Sequence, residues 1–359
     1  MEMRKKFDEI FEDCTKLGTK IKTDEYHSNG KHPIIDQGQE MVAGFTDLED
    51  GLLDAVPAIV FGDHTRIIKY VDCPFFLGAD GVKVLRSKVP NANYRYLYYA
   101  LKNAKIPNTG YNRHYKWLKE LEIEYPPIDQ QVKTVKVLDK VESIIYNRQN
   151  QLQKLDELVK ARFVEMFGGI HDSSLYPYVP VKELTHVISG GTPSRDVLEY
   201  WCDGTIPWVK TTELQNKIIT EVDEHITSKG LAASSAKIVP PNTTLIAMYG
   251  QGKTRGMTGY LGISASTNQA CACILPSPEI NSVYIWKYFE LSYDKLRNMA
   301  KGGNQPNLNG NMIKNFPVLV PPIKRQEEYV QFVNQVDKSK AVEGLLFVVV
   351  PIGIIYKPI

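Results

Sequence analysis

Residues 247–254 read Ala-Met-Tyr-Gly-Gln-Gly-Lys-Thr, a relaxed phosphate-loop pattern with Ala in place of the first Gly. Such a loop works only when a strand leads into it and a helix N-terminus receives the phosphates behind it. Residues 244–249 are strand-like, but Gly256, Gly259 and Gly262 follow, and a stretch so rich in Gly makes a poor helix. No acidic partner for Mg²⁺ stands out on a second strand. A P-loop-like nucleotide-binding protein is therefore a weak alternative. Amine methylation is the next chemistry to weigh, because it uses an Asn/Asp-Pro-Pro-aromatic tetrapeptide to hold the target amine. The Pro-Pro pairs here follow Tyr125, Val239 and Val320, none of which supplies an amide or carboxylate. A Rossmann glycine fingerprint is also lacking, so a stand-alone DNA methyltransferase is disfavoured. The seven His are scattered, and Cys271-x-Cys273 lacks a matching pair for zinc. Those two Cys read better as one inward-pointing face of a strand. No catalytic residue, metal or cofactor is expected.

The elements around these residues have a clear organisation. Residues 128–167 run without Gly or Pro, and Leu138, Ile145, Leu152, Val159 and Met166 recur every seven positions. Val141, Leu155 and Phe163 fill in at helical spacing, which makes the stretch the apolar seam of a long helix that pairs with another. Gly168 and Gly169 stop it. The chain on each side repeats one order of features. A strand (56–60, then 244–249) leads to a polar turn, and a further strand follows (67–71, then 270–275). Next come an aromatic helix (93–103, then 282–291), a polar loop (108–114, then 302–309) and a strand ending in Pro-Pro (121–125, then 316–320). An offset of 195 superposes YPPIDQQ on VPPIKRQ, and with it Leu121 on Phe316 and Ile123 on Val318. A repeated order of this kind is a tandem duplication.

At 359 residues the chain is long enough for two cores. Lys plus Arg is 43 against 41 Asp plus Glu, so a basic surface must be local. Five cysteines, an odd number without CxxC, suit a reducing cytoplasm. The N-terminus lacks the apolar core of a signal peptide. Residues 345–355 are apolar but broken by Pro351 and Gly353, too short for a bilayer.

Several phrases resemble the specificity subunit of Type I restriction–modification systems. SGGTPSR (189–195), IPWVKTTEL (206–214), LIAMYGQGKTRG (245–256), STNQAC (266–271) and LVPPIKRQEE (319–328) carry the likeness in the second half. HPIIDQGQEMVAG (32–44), PAIVFGDHTR (57–66), YVDCPFFLGADGV (70–82) and EYPPIDQQ (124–131) carry weaker versions in the first. The resemblance implies a non-catalytic, cytoplasmic subunit with no membrane association. It would read a bipartite site in double-stranded DNA and bind two modification (methyltransferase) subunits and restriction (endonuclease/translocase) subunits. The adenine methylation and ATP-dependent cleavage would belong to those partners.

The expected fold is α/β (α+β): two tandem target recognition domains joined by a long coiled-coil spacer helix, related as a pseudo-twofold repeat. The expected segments are a first recognition domain (1–127), the spacer helix (128–167), a linker (168–180), a second recognition domain (181–322), a shortened second spacer helix (323–340) and an apolar tail (341–359). Reading duplex DNA requires donors for phosphates and planar or amide groups for base edges. In the first half these are His64, Thr65, Arg66, Asn112, Arg113, His114 and Lys116. In the second they are Gly191, Thr192, Ser194, Arg195, Gln251, Lys253, Thr254, Arg255, Asn268, Gln269, Gln305 and Asn307. Gly190, Gly191, Gly250, Gly252, Gly302 and Gly303 are expected to let backbone amides approach phosphate. The tail, AVEGLLFVVVPIGIIYKPI, departs from the family pattern. Its Val-rich run favours strand, Pro351 would break a helix, and an out-of-frame or rearranged end is the expectation. Leu138, Val141 and Ile145 are then expected to be partly uncovered.

Overall fold

The computed structural model describes residues 4–78, 80–110, 112–250, 252–300 and 307–349, with side chains to 340 in the last segment. The chain divides into two compact units, residues 1–147 and 148–359.

The first unit has a four-stranded antiparallel sheet with the spatial order Phe11–Asp13, Val82–Ser87, Ala58–Gly62, Ile68–Val71. In a three-stranded sheet, His32–Ile35 pairs antiparallel with Gly44–Thr46 and parallel with Phe76–Leu77. Arg4–Lys6 pairs with Glu122–Glu124 to close the unit.

The second unit repeats this topology. Val187–Ser189, Cys271–Ile274, Thr244–Ala247 and Thr258–Leu261 take the same spatial order, and Lys217–Ile219 adds a fifth, parallel edge strand. Ile206–Val209 lies between antiparallel Glu224–Ile226 and parallel Ser266–Thr267. Tyr178–Pro180 pairs with Pro317–Leu319. Cys271 and Cys273 are both buried on the strand they share.

Individual hydrogen bonds repeat as well. The aromatic helices, Tyr94–Lys102 and Ser282–Leu291, are each capped by an Asn side chain: Asn93 accepts from the Tyr96 amide, and Asn281 from the Tyr284 amide. An N-cap side chain of this type satisfies an amide that would otherwise lack an intrahelical partner. Tyr96 donates its hydroxyl to the Glu124 carbonyl at 2.9 Å, and Tyr284 donates to the Leu319 carbonyl at 2.8 Å. The buried Gln131 amide donates to the Pro126 carbonyl at 2.8 Å, and the buried Gln326 amide donates to the Pro321 carbonyl at 2.7 Å. Glu124 and Leu319, like Pro126 and Pro321 and like Gln131 and Gln326, are separated by the same 195 positions as the Pro-Pro pairs. These are buried polar groups, and each satisfied donor avoids a desolvation cost of about 1–3 kcal/mol.

The helix Ile128–Phe167 is 40 residues long. Gly168 ends it at φ +79°, with its amide on the Val164 carbonyl at 2.8 Å. That left-handed conformation is the one a C-terminal Gly adopts without strain. In the first unit, Leu138 packs half-buried against the core of the aromatic helix. Beside it, Arg95 pairs with Asp139 at 2.5 Å and lies 4.9–5.3 Å from the ring centres of Tyr70, Tyr98 and Tyr99. Tyr99 and Lys102 donate to Glu142 at 2.9 and 2.6 Å. Burial opposes ionisation of Asp139 and Glu142. Hydrogen bonds from Tyr99, Arg95 and Lys102 outweigh it and hold both carboxyls below their usual range. In the second unit, Val159, Phe163, Met166 and Phe167 are buried with Tyr329, Val330, Val333 and Val336 of the C-terminal helix. Lys340 pairs with Asp156 at 2.5 Å. Val141, Leu152 and Leu155 are half-buried, and Ile145 is 37% exposed.

One expectation is corrected. The C-terminal helix, Ile323–Val349, continues nine residues past Lys340. The Val-rich run therefore begins in helix. Strand propensity is a weak prior, and Ala341, Glu343, Leu345 and Leu346 are good helix formers that offset it. Residues 350–359, Pro351 among them, lie outside the described residues. Among the described residues no helix is long and apolar enough to cross a membrane, and no group of three His, Cys, Asp or Glu could hold a metal.

Candidate nucleic-acid interface

The polar turn of the first unit is organised by Asp63, which is buried. Its amide donates to the Gly81 carbonyl at 2.7 Å. Its carboxylate accepts the Tyr115 amide at 2.7 Å, and its carbonyl accepts the His114 amide at 2.8 Å. These bonds draw the 108–116 loop onto the 62–66 turn. Gln37 ties in a third segment: its side chain accepts the His64 amide at 3.2 Å and donates to the Asp80 carbonyl at 3.0 Å, while its carbonyl accepts the Thr65 hydroxyl at 2.7 Å. Arg66 sits at φ +63° and donates to the Ile106 carbonyl at 3.3 Å. Thr65, Asn112, Arg113 and Lys116 are exposed, and His64 is half-buried. His114 is corrected: it is fully buried, with Nδ1 3.0 Å from the Asp63 carbonyl, so it positions the loop and cannot touch a ligand.

In the second unit a chain of backbone hydrogen bonds gathers the turns. The Gly191 amide donates to the Thr267 carbonyl at 2.9 Å, and the Asn268 amide to the Val209 carbonyl at 3.0 Å. The Met248 amide donates to the Ala270 carbonyl at 2.8 Å, and the Leu308 amide to the Met248 carbonyl at 3.0 Å. Segments carrying Thr192, Asn268, Gln269 and Asn307 therefore converge beside the 250–256 turn. Gln269 is exposed, Asn268 and Asn307 are half-buried, and Thr192 hydrogen-bonds Gln269 directly. Gln251, Gln305, Gly302 and Gly303 lie outside the described residues.

Gly190 and Gly191 do different work from that expected. Gly191 spends its amide on Thr267, and a Cβ there would lie 2.3 Å from the Ala236 amide nitrogen. A Cβ at Gly190 would lie 2.2 Å from the Thr267 carbonyl oxygen. Both serve close backbone packing, so Gly191 is corrected to a scaffold residue. Gly252, at φ +56°, does sit in open space. The phosphate-loop pattern, 247–254, is followed by the strand Thr258–Leu261, which pairs back antiparallel on Thr244–Ala247. Among the described residues this turn leads into a strand and not into a helix N-terminus, the feature that binds nucleotide phosphates.

That hairpin is held from below by residues the sequence did not single out. Arg297 donates to the Gly252 and Arg255 carbonyls at 2.9 and 3.0 Å, and Tyr293 donates to the Lys253 carbonyl at 2.7 Å. The carbonyls of Gly252, Lys253 and Arg255 are thus occupied, while the Lys253 side chain is exposed and those of Thr254 and Arg255 are half-exposed. The cluster around Arg195 was also missed. Its guanidinium lies 3.6 Å from the Trp201 ring centre and 4.8 Å from that of Trp208, with Glu224 at 2.5 Å. Lys210 meets the same carboxylate at 2.9 Å. Burial opposes ionisation of Glu224, but hydrogen bonds from Lys210 and Arg195 prevail and hold its carboxyl below the usual value. The Glu224 hydrogen bond in turn raises the Lys210 pKa. Ser194 is exposed beside this cluster.

Comparison with known proteins bears on both units. The family model for the Type I restriction modification DNA specificity domain matches residues 3–157 and again 175–344. The EcoR124I/EcoR124II specificity subunit of Escherichia coli is 22% identical over 346 residues, covering 90% of this chain and 84% of that protein. The MjaIX specificity subunit of Methanocaldococcus jannaschii is 27% identical over 165 residues, 44% of this chain and 37% of that one. In fold, the chain is similar to the crystal structure of the Type I restriction–modification S subunit from M. genitalium. That match has a TM-score of 0.53 at 16% identity, covering 96% of this chain and 93% of that one. With the family matched twice along a chain built twice on one topology, the protein belongs to the Type I restriction–modification DNA specificity family, whose members recognise DNA and carry out no catalysis.

Proposed function

We propose that the chain reads a bipartite site in double-stranded DNA, one half-site with each unit, and directs adenine methylation and restriction by two modification subunits and by restriction subunits in the cytoplasm. The recognition domains are residues 1–127 and 181–322, related as a pseudo-twofold repeat. The spacer is the helix 128–167, pairing as a coiled coil with the helix from 323 onward. The observation that carries this reading is the recurrence of one topology with polar turns at the same place: 62–66 between Ala58–Gly62 and Ile68–Val71, and 250–256 between Thr244–Ala247 and Thr258–Leu261. A single half-site of a few base pairs gives weak selectivity. Two joined by a stiff spacer gain through effective concentration.

The test is a map of methylated adenines in DNA from cells with and without this gene. A split motif that disappears on deletion identifies the function and the target together. An unchanged methylation pattern refutes the reading.

The 250–256 turn supplies a residue-level check. Replacing Arg255 by Ala weakens DNA binding in fluorescence-anisotropy titrations at several salt concentrations. A base contact shows as a loss of about 1–3 kcal/mol of discrimination at one base pair. A phosphate contact shows as an even loss across sequences, with the salt slope reduced by about one. Unchanged binding throughout removes Arg255 from the interface.

A further inference from the structure

We infer that Glu224 occupies the place of a DNA phosphate in the free chain, bridging Arg195 and Lys210 and, with Asp223 beside Lys210, offsetting their charge, which suppresses attachment to random DNA. The inference rests on the DNA-reading function proposed above.

Both carboxylate oxygens of Glu224 are committed to cations of the gathered loops. Oε2 takes Arg195 Nη1 at 2.5 Å, and Oε1 takes Lys210 Nζ at 2.9 Å. Asp223 adds a weaker contact to Lys210 at 3.5 Å. The Arg195 guanidinium carbon lies 3.6 Å from the Trp201 ring centre, and Nη1 donates to the Glu224 carboxylate. Lys210 follows directly on the strand Ile206–Val209, next to the Val209 carbonyl that accepts from Asn268. Glu224 is fixed in turn, because its strand pairs with that of Trp208 in register. A carboxylate that bridges a guanidinium and an ammonium uses the charge-assisted geometry that a phosphate would use. Arg195, Lys210 and Glu224 side chains keep 51%, 27% and 30% of their accessibility, so a phosphate can reach the group and compete.

The consequence is a threshold. Non-specific affinity comes from phosphates neutralised by Lys and Arg. Two cations already paired internally contribute little of it. A cognate site, held in register by base contacts, can displace Glu224 and collect both cations. Random sequence lacks that added interaction.

The experiment titrates the full-length chain against a fluorescein-labelled random-sequence duplex at several salt concentrations. Glu224→Gln keeps shape and removes the charge. It is expected to raise affinity about fivefold to tenfold near 0.1 M salt and to steepen the salt slope by about one to two. Glu279→Gln, an exposed carboxylate elsewhere in the same unit, is expected to change affinity less than twofold. In the background of the double variant R195Q/K210Q, adding E224Q is expected to raise affinity less than twofold. E224Q indistinguishable from E279Q overturns the inference. So does a fivefold or larger gain from E224Q that persists in the R195Q/K210Q background. Wild type that binds with ordinary salt dependence while E224Q does not differ from it refutes this inference alone. Wild type without any DNA binding refutes the proposed function together with it.

Discussion

Phe163→Ala is expected to cost about 3–5 kcal/mol of stability in the second unit, the usual range for emptying a buried aromatic site. Phe163 is fully buried at the meeting of three helices. Its ring centre lies 5.0 Å from Phe167, 5.5 Å from Tyr329, 6.0 Å from Tyr288 and 6.1 Å from Tyr284. Such aromatic pairs add about 0.5–1.5 kcal/mol each beyond the area they bury. The neighbours cannot collapse inward easily, because the Tyr284 and Tyr288 hydroxyls are tied to the Leu319 and Pro317 carbonyls at 2.8 and 3.1 Å. Against a typical domain stability of about 5–15 kcal/mol, the loss is large. Hydrogen exchange reads it by unit: amides of 148–340 lose protection while those of 4–147 keep theirs. Val164→Ala, at an exposed position of the same helix, is expected to be neutral or slightly stabilising, because Ala has the better helix propensity. A Phe163→Ala protein within 1 kcal/mol of wild type by urea denaturation would sink this account of the joint.

The parts of the fold legible in the sequence are those with a period. Leu138 to Met166 recur every seven residues, and the helix Ile128–Phe167 carries them all. The offset of 195 found from the Pro-Pro pairs also relates Gln131 to Gln326 and Glu124 to Leu319, whose hydrogen bonds coincide. Short elements without a period were not legible. Lys217–Ile219 is three residues long, and only its pairing with Thr258–Leu261 makes it a strand. The start of the tail was misread because β-branched residues suggest strand, whereas here they extend an established helix, and propagation is easier than nucleation.

The candidate site was legible in residue type and not in assignment. Donor-rich turns were recognisable, but whether a donor is available depends on partners far along the chain. His114 is committed to Asp63, 51 residues away, and Arg195 to Glu224, 29 residues away. Gly191 reads as a phosphate loop in one dimension. In three, it lets the chain pass the 235–236 backbone. The aromatic shelf of Trp201 and Trp208 left one trace in the sequence, two Trp close after a Ser-Arg. A planar cation beside two Trp is a stacking signal as well as a binding signal.

Inserting one heptad between Asn147 and Arg148 is expected to lengthen the spacer of the recognised DNA while leaving both half-sites unchanged. The insertion point lies between the two sets of contacts that hold the helix. Asp139 and Glu142, paired with Arg95, Tyr99 and Lys102, precede it; Asp156, Val159 and Phe163, in contact with Lys340 and Tyr329, follow it. Seven residues keep the seam in phase and add roughly 10 Å of helix. That is about three base pairs at ~3.4 Å each along the duplex. The two screws differ, however. A heptad turns a straight helix by only about 20°, whereas three base pairs, at 10–10.5 per turn, rotate DNA by roughly 100°. The new optimum is therefore expected to bind more weakly than the native pair, with binding to the original spacer reduced most. Selection from a library of half-sites separated by variable spacers, or a methylation map of cells carrying the variant, reads the preferred length directly. A lengthened helix that still selects the original spacer would show that the distance is set elsewhere, by the loops or by the partner subunits.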